Sequence, residues 1–230
     1  MKVISYFNLI PGFKFSSESE ELIDIWKKSW QKHGWNPTVL NEEFAKRNEL
    51  FNKLDLDNPD ANFYKTVPKT QWLYHRSCYC RLLAYCQYVR ENGATLYADY
   101  DVMNYGFTPI ILNFAKENSY FCGERAVVYL GKKGAEQMKN AMLQFSSEEF
   151  KNDGDSADMW VMERYTNIFT PVLSNLETNQ RAKWPYYYVG HSFKDSQDET
   201  PLVHYDGGCY KRGADIRLSR IQIIKNHNRL

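Results

Sequence analysis

The sequence lacks the features that mark membrane, secreted or nucleic-acid-binding proteins. No apolar run approaches the length of a transmembrane helix. The opening stretch MKVISYFNLI has no small-residue cleavage site, so it predicts a first strand rather than a signal peptide. Lys and Arg number 29 against 28 Asp and Glu, which gives no overall attraction to nucleic acid or membranes. We therefore expect a cytoplasmic protein without a transmembrane segment.

Cysteines are few and do not form a recognisable metal-binding pattern. The five Cys lie at positions 78, 80, 86, 122 and 209, an odd count. No second Cys or His pair accompanies Cys78 and Cys80 at the spacing of a zinc site. Without a secretion signal, we expect these residues to be reduced thiols, most of them buried.

The chain does contain the pattern of one α/β domain spanning residues 1–230. Its length is 230 residues and 43% of them are hydrophobic, enough for a sizeable core. KVISYFNL and NPTVL have strand composition, and a helical pattern starting at Ser16 or Ser17 separates them. A second helical pattern ends at Gly93 and leads into the strand ATLYA. Strand–helix–strand order is typical of an α/β sheet.

Two acidic residues follow the last of these strands. Asp99 and Asp101 are two positions apart in LYADYDV, so on a continuing strand they would project to the same side. Close carboxylates repel each other unless a cation or a proton compensates. Mn²⁺ and Mg²⁺ prefer carboxylate oxygens and leave positions open for phosphate oxygens. The alternative is a solvated strand end, because a bare Asp-x-Asp is common.

The segment ENGATLYADYDV resembles the Asp-x-Asp region of metal-dependent glycosyltransferases of the GT-A fold. Tyr97, Asp99, Asp101 and Val102 match the mannosyltransferase and capsular-sugar transferase families, while Gly93 is a looser match to their double glycine. The resemblance implies a GT-A-like fold, that is, a Rossmann-like α/β architecture with a mixed, mostly parallel central sheet flanked by helices. It also implies an Mn²⁺ or Mg²⁺ ion and a nucleotide-sugar donor. It places Asp99 near the ribose and the metal, with Tyr97 beside it, and makes Asp101 a direct metal ligand. A phosphatase of the haloacid type would instead need the acid pair near the first strand.

A late histidine segment, PLVHYDGGCYKRG, offers further ligands for such a site. His204 is a candidate third metal ligand, and His191 in YVGHSF is the rival. Gly208 would allow the backbone to approach a phosphate closely, and Lys211 is a candidate partner for a diphosphate. The segment is similar to the late His-x-x-Gly-x-x-Lys of glycogenin-like transferases, with one more residue between the His and the Gly.

The resemblance also implies donor and acceptor contacts elsewhere. Phe7 and Asn8 follow the first strand, where GT-A enzymes contact the nucleobase. Asp158 is the leading acceptor-side acid and Asp155 the second; a helix cap is the other explanation for one of them. An inverting enzyme would use this acid as general base, whereas a retaining enzyme would use it to orient the sugar.

The sequence therefore predicts transfer of a sugar from a nucleotide-diphosphate donor, UDP-linked, to a glycan or other hydroxyl acceptor. A nucleotidyltransferase is the first alternative, although FNLIPGFKF is a poor match to its Gly-rich phosphate loop. A noncatalytic carbohydrate-binding module is the second, because the aromatic content of 16% would suffice for it. The basic tail from Arg212 onward is interpreted as the solvated face of a closing helix, and contact with an anionic surface or acceptor is the alternative.

Overall fold

A computed structural model of the chain describes residues 1–10, 16–61, 64, 69–109, 120–121, 126–146, 189–191, 201–205 and 219–226. The predicted helical segments within 110–119 and 151–188 lie outside these residues, as do Asp155, Asp158, Gly208 and Lys211. None of the helices in the described ranges is both long and apolar enough to cross a membrane.

The first half of the chain forms the predicted alternation of strands and helices. Its elements are β1 (Lys2–Tyr6), α1 (Ser16–Gln31), β2 (Asn36–Leu40), α2 (Glu42–Lys46), α3 (Leu50–Lys53), α4 (Trp72–Asn92) and β3 (Thr95–Ala98). Gly34 and Gly93 follow α1 and α4 with φ of 83° and 87°. Glycine adopts such positive φ without steric cost, which is why the helical patterns stop there.

The remaining elements complete one large sheet and build a second, small one. They are β4 (Val102–Asn104), β5 (Tyr120–Phe121), β6 (Val127–Leu130), α5 (Lys132–Ser146), β7 (Val189–His191), β8 (Leu202–His204) and α6 (Arg220–Asn226). The large sheet has the order β2-β1-β3-β6-β5, and the small sheet has the order β4-β8-β7.

Four strands of the large sheet run in the same direction. β1 pairs in parallel with both β2 and β3, while β6 is antiparallel to β3 and to β5. Only β6 is therefore reversed among the described strands of this sheet. The prediction of a mixed, mostly parallel sheet flanked by helices is confirmed at this level.

Helices cover both faces of the large sheet. Successive side chains of each strand point to opposite faces, so each strand contributes to two apolar clusters. Val3 and Leu96 pack with Trp26 and Trp30 of α1 on one face. Ile4 and Tyr97 face the opposite way, into a cluster supplied by α4 and α5. Three of the cysteines, Cys78, Cys80 and Cys86, are buried free thiols on α4, as expected.

A cluster of charged groups ties the start of α2 to α4 near the end of β1. Arg76, whose side chain is only 9% exposed, donates to both carboxylate oxygens of Glu42 at 2.8 and 2.9 Å, and its Nε donates to Asp57. The Arg76 hydrogen bonds are the main reason that the pKa of Glu42 is lowered to about 2. Asn8 donates to the same carboxylate at 3.0 Å, so this network fixes the chain just beyond β1.

Candidate metal centre

Asp99 and Asp101 lie in a tight turn between β3 and β4. β3 ends at Ala98, and the Val102 amide donates to the Asp99 carbonyl at 2.9 Å, which closes a β-turn. The expectation that strand alternation aligns the two carboxylates is therefore corrected. The turn brings the side chains together instead.

Backbone and side-chain contacts from three other parts of the chain hold this turn in place. The Asp99 amide donates to the Ala126 carbonyl at 2.8 Å, and the Tyr205 amide donates to the Asp101 carbonyl at 2.9 Å. The indole nitrogen of Trp30 in α1 donates to the Val102 carbonyl at 3.0 Å. Because Trp30 is fully buried, the segment after the turn is fixed against the core.

The turn lies where the order of the parallel strands reverses. β1 lies between β2 and β3, so the chain goes from β1 to β2 on one side of β1 and then continues to β3 on the other side. A crevice forms outside the carboxyl ends of strands at such a point, and open α/β sheets bind their ligands there. Phe7, just after β1, meets Tyr100 of the turn edge-on with ring centroids 5.5 Å apart.

His204, at the end of β8, joins the two carboxylates from a distant part of the sequence. One ligand atom from each of Asp99, Asp101 and His204 lies within 4.8 Å of the others. β8 pairs with β4 so that His204 lies opposite Val102, one residue beyond Asp101. His191, the rival in the sequence, lies one strand farther away, in β7 beside β8.

The group has the donor set of a divalent-cation site. Two carboxylates and one imidazole combine the oxygen ligands that Mn²⁺ prefers with a nitrogen ligand that hard Mg²⁺ rarely takes. The Nε2 atom of His204 faces Oδ1 of Asp101 at 3.3 Å, and it binds a cation when unprotonated. The side chains of Asp101 and His204 are only 12% and 13% exposed, so the group lies mostly out of contact with solvent.

Each carboxylate also contacts an arginine that sequence reasoning did not assign to the site. Arg81 of α4 donates to Oδ1 of Asp99 at 2.8 Å, and Arg220 of α6 donates to Oδ2 of Asp101 at 3.2 Å. One feature of the sequence could have identified Arg81: it is a basic residue within the apolar pattern of a buried helix. Arg220 was grouped with the solvated tail, but its side chain is only 14% exposed.

The two aspartates differ in their electrostatic surroundings. Burial raises the pKa of Asp99, and the charge of Asp101 adds to that shift while Arg81 opposes it. Burial alone would also raise the pKa of Asp101, but the neighbouring His204 and Arg220 outweigh burial and lower it. Asp101 is thus the more firmly ionised of the pair.

The other predicted site residues within the described ranges lie around this group. Tyr97 is buried, and its hydroxyl donates a short hydrogen bond to Oδ1 of Asp99, so it positions that carboxylate. Asn8 lies at the end of β1 with its amide nitrogen held by Glu42. Phe7 is half-buried against Tyr100. No protein-family model matches the chain, and the search of curated proteins finds no match either.

Proposed function

We propose that the protein is a metal-dependent glycosyltransferase with a GT-A-like fold. It transfers a sugar from a nucleotide-diphosphate sugar, UDP-linked, to a hydroxyl group of a glycan or another acceptor. The observation that carries this proposal is the convergence of Asp99, Asp101 and His204 within 4.8 Å at the carboxyl ends of β1 and β3.

In this proposal the three side chains hold Mn²⁺ or Mg²⁺. Such an ion neutralises the charge that develops on a diphosphate leaving group. Arg81 and Tyr97 keep Asp99 in one orientation, so the site is largely formed before the ligand arrives.

The crevice beside the turn is the place for the nucleoside. Phe7 and Tyr100 offer aromatic surface at its edge, and the edge-on contact between them leaves ring faces that can stack on a base. Asn8 donates one N–H to Glu42, and in this proposal its carbonyl oxygen accepts a hydrogen bond from the base. A uracil N–H is a donor of the required kind.

The acceptor side of the reaction rests on sequence alone. Asp158, with Asp155 as second candidate, is proposed to act on the acceptor hydroxyl or the donor sugar. Gly208 and Lys211 are proposed to contact the diphosphate. All four lie outside the described residues.

Calorimetry with UDP tests the metal-dependent donor site. We expect UDP to bind in the presence of Mn²⁺ and to bind at least about tenfold more weakly in EDTA, because the cation joins the carboxylates to the diphosphate. The control is uridine, which lacks phosphates and whose affinity should not respond to Mn²⁺. Equal affinity for UDP in both conditions would contradict the proposed site.

A further inference from the structure

Arg220 is presented to the candidate metal centre by a firmly anchored helix. It is the first residue of α6, and Ser219 and Gln222 cap that helix reciprocally: the Ser219 amide donates to the Gln222 side chain at 2.7 Å, and the Gln222 amide donates to the Ser219 hydroxyl at 3.2 Å. The helix is held to the core by three buried side chains, Ile221, Ile223 and Ile224. The position of the Arg220 backbone is therefore set by the fold.

The two aspartates differ in which oxygens are already occupied. Among the described residues, both donors to Asp99, Arg81 and Tyr97, use Oδ1, which leaves Oδ2 for a cation. Asp101 has His204 at Oδ1 and Arg220 at Oδ2. His204 belongs to the ligand group itself, so Arg220 is the contact of Asp101 that competes with a cation for the charge of this carboxylate.

The contact of Arg220 suits an exchange of partners. At 3.2 Å it is longer than the 2.8 Å contact of Arg81 with Asp99, and strong arginine–carboxylate pairs are shorter than this. Asp101, which Arg220 contacts, directly follows Tyr100, whose ring meets Phe7 edge-on at the proposed crevice. Arg220 is therefore at the edge of the crevice where the donor is proposed to bind.

The net charge of the group indicates which kind of ligand binds after the cation. The charges of two ionised carboxylates and two guanidinium groups cancel, and His204 is unprotonated when it binds a cation. A divalent cation leaves the group with two positive charges, and the diphosphate of a nucleotide sugar carries two negative charges. A guanidinium released from Asp101 is thus well placed to donate hydrogen bonds to phosphate oxygens.

We propose that Arg220 exchanges partners: it neutralises Asp101 in the metal-free protein and binds the diphosphate once a divalent cation has taken its place. The identity of the anion rests on the proposed function, whereas the competition with the cation rests only on the described contacts. Arg220 thereby makes metal and donor binding cooperative.

The test measures Mn²⁺ binding alone and UDP binding in saturating Mn²⁺ for Arg220→Gln. Because a competing cation is removed, we expect Mn²⁺ alone to bind roughly tenfold more tightly than to the wild type. Because a phosphate partner is lost, UDP should bind roughly tenfold more weakly. Arg220→Lys keeps a positive charge, so its affinities for Mn²⁺ and for UDP should lie between those of the wild type and those of Arg220→Gln. Lys225→Gln on the same helix removes only an exposed pair with Glu21 and serves as the matched control.

Opposite changes in the two affinities cannot come from damage to the fold, since damage weakens both. If both affinities fall together, or neither changes relative to Lys225→Gln, the exchange by Arg220 is overturned. If neither the wild type nor Arg220→Gln binds Mn²⁺, the exchange and the proposed metal site fail together. If the affinities change as expected but no sugar is transferred, the exchange stands and only the proposed function fails.

Discussion

Asp101→Asn should abolish metal-dependent sugar transfer while leaving a folded protein. Loss of a group that merely supports a metal ligand typically costs 10- to 100-fold, so removal of a direct ligand should lower the rate by at least about 10²-fold. Asn keeps the size of the side chain and cannot supply the negative charge. Transfer rate at saturating Mn²⁺, measured beside the unfolding transition by circular dichroism, checks both parts of this expectation.

The same variant should also lower stability, which the sequence alone does not suggest. Two neighbouring acids in a sequence imply repulsion, and removal of one would relieve it. In the structure Arg220 and His204 compensate Asp101, so Asn leaves Arg220 with a weaker partner. We expect a loss of roughly 1–3 kcal/mol in the free energy of unfolding. Since the pKa of Asp101 is lowered on folding, this difference is present at neutral pH and disappears in acid as the carboxylate is protonated.

Asp24→Asn is the matched control, because Asp24 is an exposed acid on α1. It should leave both the rate and the stability unchanged. An Asp101→Asn protein with wild-type activity would remove Asp101 from the metal site. Greater stability of that variant at neutral pH would instead contradict the compensating role of Arg220 and His204.

Asp158→Asn should lower the rate of transfer by about 10²- to 10⁴-fold with little change in donor affinity, the effect of losing a general base.

His204→Gln should behave differently. It removes a proposed metal ligand, so Mn²⁺ affinity and UDP affinity should fall together. Measuring UDP binding and transfer rate for both variants separates the donor side of the site from the acceptor side.

Asp155→Asn is the control for Asp158, since the two acids lie in the same segment and compete for one role. If Asp155→Asn shows the large rate effect and Asp158→Asn does not, the assignment of the two acids is reversed. If Asp158→Asn destroys donor binding while His204→Gln preserves it, Asp158 belongs to the donor pocket and His204 is not a ligand.

The large sheet was predictable because its signals are local. Apolar periodicity and the two helix-ending glycines, Gly34 and Gly93, place α1, α4 and the strands that follow them. The small sheet was not predictable, because β4 and β8 are short and pair across about a hundred residues of chain. The turn at Asp99 to Asp101 also reads as a continuing strand, since Tyr100 and Val102 favour strands.

The candidate site could be predicted only in part for the same reason. The acid pair is a local pattern, and His204 was identified because a third ligand was expected. Arg81 and Arg220 were missed because helical position, not residue type, directs them to the carboxylates. The sequence pattern of a basic residue at the start of an isoleucine-rich helix is the same whether that residue faces solvent or a buried carboxylate. Arg220 faces a buried carboxylate, that of Asp101.

The central claim is that this chain cleaves the bond between a sugar and a nucleoside diphosphate with the help of a divalent cation. The most direct test incubates the protein with a panel of nucleotide sugars, and in parallel with nucleoside triphosphates and sugar phosphates. The phosphorus products are followed by nuclear magnetic resonance, with Mn²⁺ or with EDTA. We predict release of a nucleoside diphosphate from at least one donor with Mn²⁺, none in EDTA and none from Asp101→Asn. Release of pyrophosphate from a nucleoside triphosphate and a sugar phosphate, with no nucleoside diphosphate from any donor, would contradict the claim and identify a nucleotidyltransferase. Binding of sugars without any new phosphorus product would contradict it in favour of a carbohydrate-binding module.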